Sequence, residues 1–164
     1  MTDSIPCLDA ALDYLKRGWS VIPIENGGKR PVVVGYNEAG AQMRFSWERF
    51  QESLPTEADV REWFRLWPNA NIAVVTGAVS RIVILDVDVK NNGLANAQDL
   101  FKKFGTPVTP RVQSPSGGFH YYFRHPGRPV PRRIGVVPGV DILGDGGYAV
   151  VPPSTLVLTP KLVS

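Results

Sequence analysis

The chain has 164 residues, 43% of them hydrophobic, which is enough to bury a core, and we expect one domain over residues 1–164. A single cysteine, Cys7, excludes a disulfide framework and a structural zinc site with cysteine ligands. No run reaches the roughly 18 apolar residues of a membrane span and no signal-peptide pattern is present, so we expect a cytoplasmic protein without membrane contact, whose net charge of +3 permits phosphate-rich partners.

The first third of the chain predicts a helix, a strand and a surface segment. Apolar residues recur at helical spacing over residues 6–17, and Gly18 is a typical stop signal. A short apolar strand is predicted over residues 19–24. Residues 34–53 have weak periodicity and are expected to follow the surface.

A second helix is predicted to begin at Thr56 and to end at Pro68. Thr56 and Asp59 form a capping-box pattern, in which each side chain can accept a hydrogen bond from the other's backbone N–H. Trp63 and Trp67 recur at helical spacing within this segment. We expect these tryptophans to pack in the core rather than to stack on a ligand.

From residue 72 onward the pattern changes to strands. The chain predicts strands over residues 72–76 and 81–89 and a helix over residues 94–104. Three further strands are predicted, over residues 111–113, 119–124 and 140–151, the last broken by the glycine-rich residues 144–147 into a hairpin. The fold class is therefore α+β, with a mixed, largely antiparallel sheet flanked by helices.

Two carboxylates end the most apolar of these strands. Asp86 and Asp88 are two residues apart, so their side chains are expected on one face of the sheet. Two adjacent carboxylates repel unless a cation lies between them, and a hard cation such as Mg²⁺ or Mn²⁺ meets that need. The pair can equally be an exposed acidic strand end, with Asp88 capping the turn at residues 91–93.

A turn of small residues leads into the strand at 119–124. In Ser116–Gly118 the glycines allow backbone N–H groups to approach a phosphate, and His120 follows on the strand face opposite Phe119 and Tyr121. The alternative is an ordinary hairpin turn followed by a histidine that is hydrogen-bonded within the sheet.

A third acid, Asp141, interrupts an apolar strand and can complete a three-carboxylate metal site. We expect it on a strand next to the Asp86–Asp88 strand. Asp145, in the glycine-rich segment, is interpreted as a turn residue only.

Four arginines lie in a proline-rich stretch without acidic residues, which is either a solvated loop or a track for a nucleic-acid backbone. They are Arg124, Arg128, Arg132 and Arg133.

Taken in chain order, the motifs resemble the prim-pol domain of the archaeo-eukaryotic primase superfamily, which is found in replication proteins of plasmids, phages and other mobile elements. They are the acid-x-acid at Asp86–Asp88, the small-residue turn with histidine at 116–120, and the acid at Asp141. The flanks at 14–23, 29–31, 71–77, 109–110 and 146–154 extend the resemblance over residues 8–155.

The resemblance implies an RRM-like catalytic core and two-metal nucleotidyl transfer, as in a DNA primase or DNA-directed polymerase that uses nucleoside triphosphates and a single-stranded or primed DNA template. The implied ligands of two Mg²⁺ or Mn²⁺ ions are Asp86, Asp88 and Asp141. The implied triphosphate contacts are Ser116, Gly117, Gly118 and His120, with Lys29 as a weaker candidate that can also be a solvated turn lysine. The expected template contacts are Arg124, Arg128, Arg132 and Arg133.

The sequence departs from the family pattern at Leu143 and in its end soon after Ser154, and two other functions stay open. Leu143 stands where family members often carry a basic residue, which leaves a catalytically inactive nucleic-acid-binding module as one alternative. The same carboxylates suit a metal-dependent phosphodiesterase, which is a second alternative. The chain also stops soon after Ser154, as expected of a fragment of a longer replication protein, so a helicase domain or protein is a conceivable partner.

Overall fold

The computed structural model describes residues 5–157 and has an α+β fold. The helices are α1 (Pro6–Lys16), α2 (Glu57–Leu66) and α3 (Gly93–Phe104), with 3₁₀ turns at Glu48–Gln51 and Lys90–Asn92. The strands are β1 (Val21–Ile24), β2 (Val33–Tyr36), β3 (Gln42–Arg44), β4 (Asn71–Val75), β5 (Ile82–Val87), β6 (Arg111–Gln113), β7 (Phe119–Arg124), β8 (Arg133–Val137), β9 (Val140–Leu143) and β10 (Tyr148–Val150).

The strands form three separate sheets. One has the order β1-β4-β10, a second is the hairpin β2-β3, and the third has the order β6-β7-β5-β9-β8. Every pairing between these strands is antiparallel. The predicted fold class is confirmed, although the strands are distributed over three sheets rather than one.

The larger hydrophobic core joins α1 and α2 to the three-stranded sheet and to one face of the five-stranded sheet. Strands β1 and β4 are buried along their whole length. Ile82, Ile84 and Leu143 enter the same core from β5 and β9. Burial of each such aliphatic side chain contributes about 1.5–3 kcal/mol, so this core anchors the two sheets to each other.

A smaller core lies between α3 and the other face of the five-stranded sheet. Val87, Tyr121 and Val140 project from the sheet toward Ala97 and Phe101 of α3. The rings of Phe101 and Tyr121 meet edge to face with centroids 5.3 Å apart. Since side chains alternate along a strand, the neighbours of these sheet residues point away from α3.

The second helix begins as its capping pattern predicts. The Thr56 hydroxyl accepts from the Asp59 N–H at 3.1 Å, and the Asp59 carboxylate accepts from the Thr56 N–H at 2.9 Å. The Thr56 N–H, more than any other group, lowers the pKa of Asp59. Trp63 is buried and Trp67 packs against the larger core, so the prediction that both belong to the core is confirmed.

Residues 34–53 follow the surface as predicted, since all of them except Phe50 are exposed or half-buried, but they also form regular structure that their weak periodicity did not indicate. They contain most of the β2-β3 hairpin, and the Asn37 side chain accepts hydrogen bonds from two backbone N–H groups of its loop. The hairpin is a separate two-stranded sheet with many exposed residues, so it has little hydrophobic alternation to detect.

The predicted hairpin over residues 140–151 is wrong. β9 pairs with β5 and β8, whereas β10 pairs with β4 in the other sheet. Thr76, directly after β4, holds the crossover: its N–H donates to the Gly147 carbonyl at 2.9 Å and its hydroxyl to the Gly144 carbonyl at 2.7 Å.

Strand β8 lies where the sequence predicts only an arginine-rich stretch. It forms an edge of the five-stranded sheet, and four of its five residues are exposed. A strand exposed in this way has no buried face, so no alternation marks it. Among residues 5–157, no helix is long and apolar enough to cross a membrane.

Candidate functional site

A cleft of about 320 Å³ opens between β10 of the three-stranded sheet and the central strands of the five-stranded sheet. Acidic, basic and aromatic side chains line it. The described residues that line it are Lys29, Trp47, Asp86, His120, Arg132, Asp141, Leu143, Gly146, Gly147, Tyr148, Ala149 and Val150.

Three predicted site residues meet on one wall of this cleft because of strand register. Asp86 of β5 lies directly opposite His120 of β7 on one side and Asp141 of β9 on the other. Residues paired in this way share a sheet face. His120 Nε2 lies 3.3 Å from Asp86 Oδ1.

The face on which His120 lies agrees with the prediction. Phe119, Tyr121 and Phe123 belong to the smaller core beneath α3, so His120 points to the other face, together with Asp86. Its side chain is only 15% exposed, so the ring is partly shielded within the cleft wall rather than freely accessible.

Asp141 is held by a contact within its own hairpin. Its Oδ1 accepts from the Gly135 N–H at 2.7 Å. The β8-β9 register shifts between Arg133 and Val137, so β8 is irregular at Gly135. One oxygen of this carboxylate is therefore engaged, and the other can accept a ligand.

Asp88 lies one step beyond the end of β5 and is exposed. Its N–H donates to the Gly139 carbonyl at 2.9 Å, and its Oδ1 accepts from the Lys90 N–H at 3.1 Å. Asp88 is not among the described residues that line the cleft. The structure thus brings together two of the three predicted carboxylates and leaves Asp88 outside the cleft lining, in a local turn.

The small-residue turn forms the end of the β6-β7 hairpin. The Ser114 N–H donates to the Gly118 carbonyl and the Gly117 N–H to the Ser114 carbonyl, at 2.8 and 2.9 Å. A Cβ at Gly118 would lie 2.2 Å from the Val87 carbonyl oxygen and 3.3 Å from the Asp88 Cα. Gly118 is therefore required by close packing against the end of β5, and Ser116–Gly118 lies beside Asp88 rather than in the cleft.

Lys29 enters the cleft from the turn after β1. The Tyr148 hydroxyl donates to the Lys29 carbonyl at 3.0 Å. The same turn is held by Arg44, which contacts both the Glu25 carboxylate and the Pro31 carbonyl. Within the described chain, no carboxylate lies within ion-pair distance of the ammonium of Lys29 or the guanidinium of Arg132.

The four arginines are distributed over different parts of the surface. Arg132 lines the cleft. Arg124 is paired with Ile82 at the far end of β7 from His120, and Arg128 is exposed in the loop before β8. Arg133 pairs with Ile142, which pairs with Leu85, so it lies on the face opposite Asp86. Their role as template contacts stays a prediction.

Trp47 and Tyr148 are cleft residues that sequence reasoning did not single out as such. Their rings meet edge to face with centroids 5.0 Å apart. Burial, more than any neighbouring charge, raises the pKa of the Tyr148 hydroxyl. The Gly146-Gly147 pair before Tyr148 was a detectable signal for a backbone close to a ligand, whereas Trp47 lies in the segment that lacked periodicity.

Asp145, predicted as a turn residue only, connects three segments. It accepts hydrogen bonds from the N–H groups of Ala78 and Val130 and contacts His125 Nε2 at 3.1 Å. Partial burial raises its pKa, but these contacts outweigh that effect, and the pKa of Asp145 is lower than usual. The Asp145 side chain therefore has a structural role, and its interpretation as a turn residue only was too narrow.

The donors in the cleft suit a hard divalent cation. Within residues 5–157, no three His, Cys, Asp or Glu side chains are arranged to hold a metal ion. Mg²⁺, however, is commonly bound by one or two carboxylates together with water and substrate phosphates. Asp86 and Asp141, opposite each other on adjacent strands, provide such a pair.

Comparison with known proteins gives the family of this chain. No curated protein matches it. The family model described as bifunctional DNA primase/polymerase, N-terminal, matches residues 11–161, nearly the whole chain and including every residue of the cleft. The chain therefore belongs to the bifunctional DNA primase/polymerase N-terminal family, whose description points to primer synthesis or DNA polymerisation.

Proposed function

We propose that this chain catalyses template-directed, metal-dependent nucleotidyl transfer in the cleft between its two larger sheets. The observation that carries the proposal is the register that sets Asp86 opposite both His120 and Asp141 on a wall that also meets Lys29 and Arg132. Acidic and basic side chains that line one cleft match a substrate with an anionic phosphate chain and a metal-bound reacting centre.

The carboxylates of Asp86 and Asp141 would hold Mg²⁺ or Mn²⁺. Asp88 is proposed as a further ligand, although its Oδ1 is bonded to the Lys90 N–H and would have to leave that contact. Two such ions, when bound, lower the pKa of an attacking 3′-hydroxyl and neutralise charge on the triphosphate.

The basic side chains would bind the phosphates. Lys29 offers a point charge and Arg132 a planar guanidinium that can donate two hydrogen bonds to one phosphate. His120 lies 3.3 Å from Asp86, and we assign it to a phosphate oxygen next to the metal-binding acids rather than to general-base catalysis. The turn Ser116–Gly118, which packs beside Asp88, is proposed as an additional phosphate contact.

The nucleic-acid partner is proposed to be a single-stranded or primed DNA template. Arg124, Arg128 and Arg133 are exposed and would contact its backbone, so binding would weaken as salt increases. We propose residues 1–164 as one catalytic domain. A helicase domain or protein would be compatible with a replication role.

One observation favours a second candidate. Leu143 is buried and lines the cleft, so it brings no charge to the substrate at a position where the resemblance implies a basic residue. A binding module without catalysis would tolerate this difference.

Incubation of the protein with nucleoside triphosphates, Mg²⁺ or Mn²⁺, and a primed or unprimed template separates the candidates. We expect primer extension or de novo products. Template binding without product would favour the inactive module, and shortening of the primer would favour phosphodiester hydrolysis. Either of these results would contradict the proposed function.

A further inference from the structure

Asp145, between β9 and β10, holds the segment that leads to Arg132. The contacts of Asp145 with Val130 and Pro131 are called the clasp below. Its Oδ2 accepts from the Val130 N–H at 2.8 Å, while its own N–H donates to the Val130 carbonyl at 2.6 Å. Pro131 forms an isolated parallel bridge with Asp145. Both polar groups of the Val130 backbone are thus held by one residue, two positions before Arg132.

The other carboxylate oxygen of Asp145 ties this clasp to the rest of the molecule. Oδ1 accepts from the Ala78 N–H at 2.9 Å and lies 3.1 Å from His125 Nε2. The Gly127 N–H donates to His125 Nδ1, so the ring proton lies on Nε2, facing Asp145. His125 is 6% exposed, which means that the clasp has a buried support.

Close packing leaves the Arg132 segment little freedom. A Cβ at Gly144 would lie 2.0 Å from the Val130 carbonyl oxygen, so the turn and the segment are in direct backbone contact. The Arg132 Cδ lies 3.7 Å from the position of a Cβ on Gly147, a cleft residue. The Arg132 side chain therefore runs from the clasp past Gly147 in the cleft lining.

We propose that Asp145 is a positioning residue that holds the Arg132 guanidinium in the cleft for the phosphate chain of a nucleoside triphosphate. The ligand in this proposal rests on the proposed function; the clasp rests on the contacts above. Arg132 is a flexible side chain without an ion-pair partner in the part of the chain that the structure describes. Fixing its backbone lowers the entropy that it loses when it binds.

An aspartate is specifically required at this position. Its two oxygens accept from three donors, whereas asparagine has a single acceptor oxygen and would place its NH₂ group against an N–H donor. Asp145→Asn therefore opens the clasp with almost no change in side-chain volume. Asp99→Asn is the matched control, because Asp99 is an exposed acid on α3 whose contact is the neighbouring Lys102.

A double-mutant cycle on triphosphate binding tests the proposal. ATP and dATP are titrated into the wild type, Asp145→Asn, Arg132→Ala, the double variant and Asp99→Asn, with Ca²⁺ replacing Mg²⁺ to prevent turnover, and the melting temperature of each is recorded. We expect Asp145→Asn to weaken binding at least about fivefold in the wild type and less than about twofold in the Arg132→Ala background. Asp99→Asn should bind like the wild type.

The outcomes are distinct. Equal weakening by Asp145→Asn in both backgrounds, or no weakening in the wild type, would overturn the positioning role while the proposed function stands. If the wild type binds neither nucleotide, the proposed function fails and this inference fails with it.

A second variant covers the case in which Asp145→Asn does not fold. Pro131→Gly loosens the backbone before Arg132 without removing a polar group. It should weaken triphosphate binding only when Arg132 is present. Unchanged affinity in Pro131→Gly would overturn the proposal.

Discussion

Asp86 can face two different partners because β5 is the central strand of its sheet. The i, i+2 spacing of Asp86 and Asp88 predicted a common face, but the residue opposite Asp86 depends on register across strands far apart in sequence. His120 and Asp141 arrive through two separate antiparallel pairings. The alternation of Phe119 to Phe123 was sufficient to predict the face of His120, whereas its 3.3 Å approach to Asp86 was not predictable from sequence.

At His120, a binding role and a purely structural role predict different results. If the ring contacts the triphosphate, His120→Ala should weaken nucleotide binding by about 1.5–3 kcal/mol, the value of a hydrogen bond to a charged group. Affinity for a primed template without nucleotide should change little. Titration of ATP and dATP in Ca²⁺, with the melting temperature measured on the same samples, checks this. Unchanged nucleotide affinity combined with lost stability would make His120 a structural residue.

At the level of elements, sequence patterns were reliable where one face is buried. The α2 capping box and the alternation of β7 agree with the structure to within a residue. β8 and the β2-β3 hairpin were missed because both are largely exposed, so no hydrophobic period marks them. Asp88 departs from the predicted three-acid cluster because β5 ends at Val87 and the chain turns.

The hairpin turn before β7 offers an element-scale prediction. In Gly118→Ala the new Cβ would lie 2.2 Å from the Val87 carbonyl oxygen, so β7 must shift against β5, and His120 with it. We expect roughly 1–3 kcal/mol of lost stability together with weaker nucleotide binding.

Urea unfolding and nucleotide titration check this prediction against Gly35→Ala. That control makes the same change next to the flexible Met43 methyl, which can move aside, so its stability should stay close to that of the wild type. Wild-type stability in Gly118→Ala would show that the turn is not tightly packed on β5.

At the scale of the whole molecule, the cleft exists because the chain crosses from one sheet to the other between β9 and β10. The sequence predicted a hairpin there. A glycine-rich segment between two apolar runs has the same local pattern whether the two strands pair with each other or lie in different sheets. The crossover places Tyr148 and Lys29 on one side and Asp86 and Asp141 on the other. Such long-range pairing leaves no local signal, so the motifs were found but not the cleft that joins them.

Primer extension by carboxylate variants tests the central claim most directly. Wild type, Asp86→Asn, Asp141→Asn and the exposed control Asp99→Asn are compared on a primed template with Mg²⁺ and with Mn²⁺, after equal melting temperatures have been verified. If these carboxylates hold the catalytic ions as proposed, removing one should lower the extension rate by roughly 100-fold or more, while wild type and Asp99→Asn extend alike. Extension by Asp86→Asn at the wild-type rate with either ion would contradict the assignment of this cleft as the nucleotidyl-transfer site.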